Sequence, residues 1–258
     1  TTYYLGETGA AGSWTYFPVV YLIKEPLAYI ILLFFAVFLV IKNFRKDFIS
    51  SIKNHPAETG MLIITFIYWA FSIRSRLNIG VRHILPTLPF IYALTARQIA
   101  YWIQGEGWGK IKRTAIILLI IVWAVISVIF VYPSFLAYFN ETIGGPGNGY
   151  KYVVDSNLDW GQDILRLADF IEKNNIKEIK MDYFSGAPAE YYIKNTKIES
   201  YNREVPQTGW IAVSATIYSG ACKGDKIPCS YHERAYVWLD SYKPIAKIGY
   251  SIFVYKIE

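Results

Sequence analysis

The chain has 258 residues, of which 53% are hydrophobic, 17% are aromatic and only 18% are charged. An ordinary soluble domain is more polar, so this composition excludes a chain that is soluble throughout. The formal net charge of +6 is explained by cationic loops beside apolar segments, and nucleic acid is therefore not expected as a partner.

Residues 1–25 are polar at first and then lead into an apolar segment. They contain no signal-peptide pattern and no initiator methionine. We therefore expect residues 1–25 to form an external loop that leads into the first span. We also expect the chain to be part of a longer protein.

Four apolar segments between residues 26 and 132 predict four transmembrane helices. Residues 114–132 contain no charged side chain and approach the roughly 20 residues that a helix needs to cross a bilayer. Residues 27–41 are shorter, but the polar groups that precede them can extend to the interface. Residues 84–103 include prolines and one arginine, which neighbouring helices can accommodate. Residues 61–73 are the shortest segment and also fit a re-entrant or buried helix.

Positive charges predict the orientation of these helices. Two loops, residues 42–58 and 104–113, contain the cations Lys42, Arg45, Lys46, Lys53, Lys110, Lys112 and Arg113. Because loops rich in lysine and arginine stay in the cytosol, we predict that both loops are cytoplasmic. Residues 1–25 and everything after residue 132 then lie outside the cytosol.

A third cationic loop, residues 74–83, falls on the external face in this topology. It contains Arg74, Arg76 and Arg82, followed by His83. One interpretation is that the arginines extend to lipid headgroups, or that the third span is misplaced. The other is that they hold an anion at the external surface, because guanidinium groups pair well with phosphate. The residue types alone leave both interpretations open.

The second half of the chain changes character after residue 132. A glycine-rich connector at residues 133–149 is followed by alternating helical and strand-like segments in residues 150–258. The pattern predicts helices at 163–174, 188–194 and 233–242, and strands at 176–184, 210–216, 246–249 and 251–257. Such alternation is typical of a small α/β domain. The predicted fold class is a multi-span α-helical membrane region followed by a small extracytoplasmic α/β domain.

Two cysteines, Cys222 and Cys229, lie in one loop of this domain. In an oxidising compartment they would form a disulfide that closes the loop. Two reduced thiols are the alternative, because sequence cannot establish the geometry that a disulfide requires. A zinc site is not expected, since His232 alone does not supply the further ligands that zinc needs.

The stretch DSNLDWGQD, residues 155–163, combines carboxylate, amide and aromatic side chains. It begins like a calcium loop, but Trp160 and Arg166 occupy the positions where an EF-hand has glycine and glutamate. Asp159 and Gln162 instead match a capping box, in which each side chain bonds a backbone N–H at the start of a helix. We therefore predict that Asp159 is the N-cap of a helix and that Gln162 completes the cap.

Three residues of this stretch, Asp155, Asn157 and Trp160, have no structural role in that pattern. An aromatic ring beside carboxylate and amide groups suits a sugar, whose apolar face stacks on the ring while its hydroxyls form hydrogen bonds. We predict that these three residues contact a sugar or an acceptor molecule.

Several segments resemble the membrane glycosyltransferases of the GT-C superfamily, in the branch of protein O-mannosyltransferases and aminoarabinose transferases. RHILPTLPFIYAL is similar to the Arg-aromatic-x-Leu-Pro-x-x-Pro segment of that branch. YLGETGAAGSWTYFPVVYLIKEP is similar to the external loop that lies upstream of it. YPSFLAYFNETIGGPGNGYKYVVDSNLDWGQDILRLADFI and PIAKIGYSIFVYKI are similar to the carboxy-terminal region of bacterial members.

The resemblance implies an integral membrane enzyme that moves a mannose-like sugar from a polyprenyl-phosphate carrier to an acceptor glycan, lipid or protein. It implies no cofactor and no bound metal. The family's catalytic carboxylate lies in an amino-terminal external loop that has no counterpart here, so no catalytic residue is expected in this chain. Arg74, Arg76, Arg82 and His83 would bind the phosphate of the lipid carrier.

Two other functions stay open. One is a non-catalytic, membrane-anchored module that binds a glycan or a protein, because residues 1–258 contain no complete catalytic constellation. The other is a transporter fragment, in which Pro86 and Pro89 mark a broken helix. The size of the soluble domain and the lack of acidic residues within the predicted spans disfavour the transporter.

Overall fold

The computed structural model describes residues 2–9, 11–43, 54–105, 109–220 and 235–258. The chain divides into two compact units. The helical unit consists of residues 13–133 and 139–142, and the sheet unit consists of residues 1–12, 134–138 and 143–258. The expected combination of a helical region with an α/β region is therefore confirmed.

Apolar α-helices dominate the helical unit. In the described residues they are α1 (Tyr16–Lys24), α2 (Leu27–Asn43), α3 (Pro56–Arg74), α4 (Leu88–Gln104) and α5 (Lys110–Ile129). Two of them, α3 and α5, are long and apolar enough to cross a membrane. α1 and α2 would together form a third such segment, although they are bent by 118° where they meet. The predicted set of four spans is therefore not confirmed: among the described residues, length and composition allow two spans, or three if the bent pair counts as one.

The segment predicted to span at residues 84–103 is shorter as a helix. Val81–His83 and Leu85–Thr87 form two 3₁₀ turns, and α4 begins only after them. Pro86 and Pro89 lack backbone N–H groups, which suits them to the first turn of a helix rather than to its interior. α4 is consequently 17 residues long, about the shortest length that crosses a bilayer.

The bend between α1 and α2 is closed by Asn140, a residue that lies far away in the sequence. Asn140 is buried, and its Nδ2 atom donates to the carbonyl oxygens of Leu22 at 2.6 Å and Glu25 at 2.8 Å. Its backbone N–H donates to the carbonyl oxygen of Ile23 at 2.9 Å. Carbonyl groups that the end of α1 leaves unpaired are thereby satisfied without water.

Two arginines of the helical unit are paired within it. Arg97 of α4 forms an ion pair with Glu58 of α3. Arg113 of α5 donates from Nη1 to two carbonyl oxygens at the end of α4, those of Trp102 at 2.5 Å and Gly105 at 2.6 Å. A cation is favourable there because the unpaired carbonyls make the carboxyl end of a helix negative. These contacts explain how apolar helices accommodate the two charges.

Residues 2–9 belong to the sheet unit, although the sequence predicted them as part of a loop leading into a span. They form an antiparallel hairpin of β1 (Thr2–Tyr4) and β2 (Glu7–Gly9). A further backbone pairing joins Tyr4 to Val153 in the same unit. Such short strands leave too few residues for alternation to be recognised in the sequence.

The main element of the sheet unit is a five-stranded mixed sheet. β3 (Glu178–Asp182), β4 (Lys197–Glu199) and β5 (Gly209–Ser214) pair in parallel. β7 (Ile252–Ile257) pairs antiparallel with β5 and with β6 (Ala246–Ile248). The amphipathic helix α6 (Ile164–Lys173) buries three side chains in the core of this sheet, those of Ile164, Leu167 and Ile171.

Several predicted elements of the α/β region differ in type or position. Residues predicted as helices at 188–194 and 233–242 contain the 3₁₀ turns Ala189–Tyr191 and Val237–Ser241. A short helix, α7 (Ala215–Gly220), follows β5 directly. The connector at 133–149 contains further 3₁₀ turns, among them Phe135–Ala137 and Glu141–Ile143. Cys222 and Cys229 lie outside the described residues, so their pairing stays a prediction.

Asn140→Ala is expected to lower the stability of the protein in detergent by about 1–3 kcal/mol, because the carbonyl groups of Leu22 and Glu25 lose their buried side-chain donor. Denaturant-induced unfolding measures the change. Asn195→Ala, at an exposed asparagine, is the matched control and should leave stability unchanged. Equal stability of the two variants would contradict a capping role for Asn140.

Candidate functional site

The polar stretch at residues 155–163 lies at the carboxyl ends of two parallel strands. The backbone N–H of Asp155 donates to Oγ1 of Thr216 in α7 at 3.1 Å, just beyond the end of β5. The hydroxyl of Tyr183, just beyond the end of β3, donates to the carbonyl oxygen of Gly161. In open α/β sheets, ligands bind outside the carboxyl ends of the strands, so this edge is the place where a site is expected.

Asp159 and Gln162 do not form the predicted capping box. α6 begins at Ile164, and its N-cap residue is Asp163. Asp159 Oδ1 accepts the backbone N–H of Gly161 at 3.0 Å, and Gln162 Oε1 accepts that of Trp160 at 2.7 Å. The physical reason is Gly161, whose φ of +76° is incompatible with a helix and separates this turn from α6.

Trp160 is the exposed aromatic residue at the tip of this turn. About half of its surface, 51%, is exposed, and its ring centroid lies 6.3 Å from that of Phe184. The next residue, Gly161, packs closely against the segment after β3, because a Cβ atom there would lie 2.5 Å from the Tyr183 hydroxyl and 2.7 Å from the Ser185 side chain. The ring is therefore exposed on a turn whose backbone is tightly packed, which suits a residue that stacks on a ligand.

Asp155 and Asn157 differ in their access to a ligand. Asp155 is partly exposed, has a φ of +55° and accepts the backbone N–H of Ser156 on Oδ1 at 2.5 Å. Asn157 is fully buried, and its Nδ2 atom donates to the carbonyl oxygen of Val154 at 3.3 Å. The prediction that Asn157 contacts a sugar is therefore wrong for this conformation, since its amide has no exposed atom. Asp155 remains a predicted contact.

Asp159 carries a buried carboxyl group beneath Trp160. The residue is 0% exposed, and its Oδ2 atom has no hydrogen-bond partner among the described residues. Burial raises the pKa of Asp159 to about 6, although the Gly161 N–H and the hydroxyls of Ser214 and Thr216 favour the ionised form. A buried acceptor without a partner is costly, so this atom needs a role or a proton.

Asp163 is a second buried carboxylate, and unlike Asp159 it is fully bonded. Its Oδ2 accepts from the Ser251 hydroxyl at 2.6 Å and from Nε2 of Gln162 at 3.2 Å, and Oδ1 pairs with Arg166. A Cβ atom at Gly249 would lie 1.9 Å from Oδ1, so glycine is needed there. Burial raises the pKa of Asp163, while these partners lower it. Asp163 therefore ties the polar stretch to the turn before β7.

The arginine-rich segment lies in the helical unit, between α3 and α4. Arg74 is the last residue of α3, and Arg82 and His83 share one 3₁₀ turn. Arg74, Arg76 and Arg82 are exposed, and no ion pair of Arg74 or Arg76 occurs within the part of the chain that the structure describes. Arg74 and Arg76 are therefore available to an external anion.

His83 differs from its neighbours because its imidazole is partly buried. Its Nε2 atom has no partner among the described residues, and its ring lies 6.3 Å from that of Phe17. Burial and the adjacent Arg82 lower the pKa of His83. It would therefore meet an anion as a neutral hydrogen-bond donor, and not as a further cation.

Asn78, which the sequence did not single out, anchors this segment. Its Oδ1 accepts the backbone N–H of Ser13 and its Nδ2 donates to the Ser13 carbonyl oxygen, both at 3.2 Å. Asn78 is buried, so the reciprocal pair is shielded from water. No sequence pattern marks such a pair, because the two residues are 65 positions apart.

Comparison of the chain with family models, with curated proteins and with solved structures found no match in any of the three.

Gly161→Ala is expected to destabilise the protein by about 1–3 kcal/mol and to alter the environment of Trp160, because the methyl group meets Tyr183 and Ser185 at a positive φ. Thermal unfolding followed by tryptophan fluorescence measures both effects. Gly186→Ala, for which the same methyl group meets nothing within 4 Å, is the control. If the two variants unfold alike, the packing beneath Trp160 does not fix the turn.

Proposed function

We propose that this chain is part of an integral membrane glycosyltransferase, which moves a mannose-like sugar from a polyprenyl-phosphate carrier to an acceptor at the outer face of the membrane. Three features support the proposal. α3 and α5 have the length and apolar character of membrane helices. The arginine-rich segment follows α3 directly, and the sheet unit presents an exposed aromatic ring beside polar groups.

The observation that carries this proposal is the group of three exposed arginines, Arg74, Arg76 and Arg82, directly after an apolar helix. Breaking the bond between a sugar and a lipid phosphate leaves negative charge on the phosphate, and cations that meet this charge accelerate the reaction. Guanidinium groups suit the role because their planar N–H groups match phosphate oxygens. Their position after a membrane helix would place them at the depth of a lipid headgroup.

The proposed orientation has residues 74–83 and the sheet unit on the non-cytosolic side. The lysines and arginines of residues 42–58 and 104–113 support it, because such loops stay in the cytosol. α4 must then cross the bilayer as α5 does, which its 17 residues just permit. Accessibility labelling at residues 82 and 191 tests this directly, and labelling from opposite faces would contradict the orientation.

The sheet unit would bind the sugar or the acceptor through Trp160 and Asp155. A sugar ring has an apolar face that stacks on indole, and its hydroxyls donate to carboxylate oxygens. Phe184 beside Trp160 would extend the apolar contact. The chemistry of transfer also needs a base for the acceptor hydroxyl, which neither residue is proposed to supply.

Arg82→Ala in the natural protein is expected to lower sugar transfer by about 100-fold, because one cation that meets the developing phosphate charge is lost. Transfer from a polyprenyl-phosphate sugar in isolated membranes measures this. Lys110→Ala, at the start of α5 and on the predicted cytosolic side, is the matched loss of a cation and should leave transfer unchanged. Similar losses in both variants would refute the phosphate-binding role.

Trp160→Ala is expected to weaken binding of a mannose disaccharide by about tenfold, because one stacking contact of roughly 1.4 kcal/mol is lost. Calorimetric titration of the whole chain in lipid nanodiscs measures the affinity. Tyr191→Ala removes another strongly exposed aromatic ring of the sheet unit and should not change it. Loss of affinity in the Tyr191 variant alone would move the site away from Trp160.

A membrane-anchored glycan-binding module is the second candidate. Within the described residues of the stretch 155–163, the carboxyl groups of Asp159 and Asp163 are fully buried and cannot touch a substrate, which favours binding without chemistry. Binding that depends on Trp160, together with no transfer by the natural protein from any polyprenyl-phosphate sugar tested, would support this second candidate over the enzyme.

A further inference from the structure

We propose that the carboxyl group of Asp159 is a proton-dependent latch for the turn that carries Trp160, so that the turn is held when the group is protonated and loosens when it ionises. The latch rests on the proposed function only in naming a sugar as the ligand of Trp160. Its mechanical part follows from the packing of the turn and is tested without any ligand.

The geometry of Asp159 favours a neutral carboxyl group. Oδ1 accepts the backbone N–H of Gly161 at 3.0 Å, which needs no negative charge. Oδ2 is buried and has no hydrogen-bond partner among the described residues, and the hydroxyls of Ser214 and Thr216 are close enough to interact with the carboxyl group. A proton on Oδ2 makes this atom a donor, for which a hydroxyl oxygen can be the acceptor. Both oxygen atoms of the carboxyl group then take part in a hydrogen bond.

The charged surroundings of Asp159 do not compensate for its ionisation. Asp163 of the same stretch is a second buried carboxylate, whose charge repels that of Asp159. The nearest cation on α6, Arg166, is paired with Asp163 and also donates to the Ser134 hydroxyl at 2.7 Å. From the segment after β3, Tyr183 contributes a neutral phenol, and burial raises its pKa further. β5 and α7 contribute hydroxyl groups and no charge at this point.

Proton uptake must therefore favour the held turn. Burial raises the pKa of Asp159 from 3.8 to about 6 in the held turn, whereas a loosened turn exposes the carboxyl group to water and returns the pKa toward 3.8. Because the carboxyl group of Asp159 has its higher pKa in the held turn, protonation stabilises the held turn relative to the loosened one as pH falls between these two values. The held turn loses this stabilisation as pH rises through about 6. Two pKa units shift the ratio of held to loosened turns by up to about 100-fold.

The latch has a direct consequence for the binding surface. Trp160 follows Asp159, and its own backbone N–H is bonded to Gln162 in the same turn. When the turn loosens, the ring loses the fixed position that makes stacking favourable, because ordering the ring again costs conformational entropy. We therefore expect weaker sugar binding above a pH of about 6, with Asp159 acting as a positioning residue that does not touch the sugar.

Fluorine NMR on the whole chain in nanodiscs, with fluorotryptophan in place of tryptophan, tests the latch without ligand. The resonance that disappears in Trp160→Phe identifies the reporter. We expect this resonance to shift or broaden with a midpoint near pH 6. Asp159→Asn keeps the shape of the neutral carboxyl group and should remove the transition, with the spectrum of the low-pH state at every pH. Asp159→Ala should give the high-pH spectrum throughout.

Asp169→Asn, at an exposed carboxylate of α6, is the control and should keep the transition. A transition that persists unchanged in Asp159→Asn, or a reporter that does not respond to pH in the natural chain, would overturn the latch. Titration with a mannose disaccharide is the second measurement, and we expect Asp159→Asn to bind it with the same affinity above and below pH 6. Absence of sugar binding at every pH, with the pH-dependent resonance intact, would refute the proposed function and leave the latch standing.

Discussion

The sheet unit depends on one short stretch, residues 155–163, in which the carboxyl groups of Asp159 and Asp163 are both buried. Asp163 is satisfied by a hydroxyl, an amide and a guanidinium group, and it joins the start of α6 to the turn before β7. Asp159, four residues earlier, is equally buried, but its Oδ2 atom has no hydrogen-bond partner among the described residues. The fully bonded aspartate fixes the stretch, and the incompletely bonded one leaves it able to respond to its surroundings.

Polar groups of the helical unit form a second set of internal contacts. Arg97, Arg113 and Asn140 are all bonded to partners that close a helix end or join two helices. Arg74 and Arg76 contrast with these three, since they are exposed and form no ion pair in the described ranges.

Sequence patterns predicted the parts of this fold that depend on long periodic segments. β3, β5 and the pair β6 and β7 lie where alternation and apolar runs indicated strands, and the amphipathic pattern of α6 was recognised. The predicted cap at Asp159 is wrong because of Gly161. A glycine in the sequence does not show whether its backbone is flexible or is held at a positive φ. Only the packing against Tyr183 shows that it is held. Asn157 failed for a similar reason, since an amide in a polar stretch gives no sign that it points inward.

The predicted number of spans is not confirmed, for a further reason. Hydropathy measures how apolar a segment is, but it does not register the bend between α1 and α2 or the 3₁₀ turns before α4. Both interruptions coincide with prolines, which membrane helices also tolerate, so the sequence could not decide between a kink and an end. Contacts between residues far apart in the chain decided it, and such contacts have no local signature.

The amide that closes α1 comes from a residue 115 positions after one of its acceptors. At ordinary rates of synthesis this separation corresponds to on the order of ten seconds. During that interval α3, α4 and α5 have to emerge from the ribosome while the carbonyls of α1 still lack their donor. Until Asn140 has been synthesised, these carbonyls depend on water or on other donors, so the end of α1 reaches its final hydrogen bonding only when the last residues of the helical unit are present.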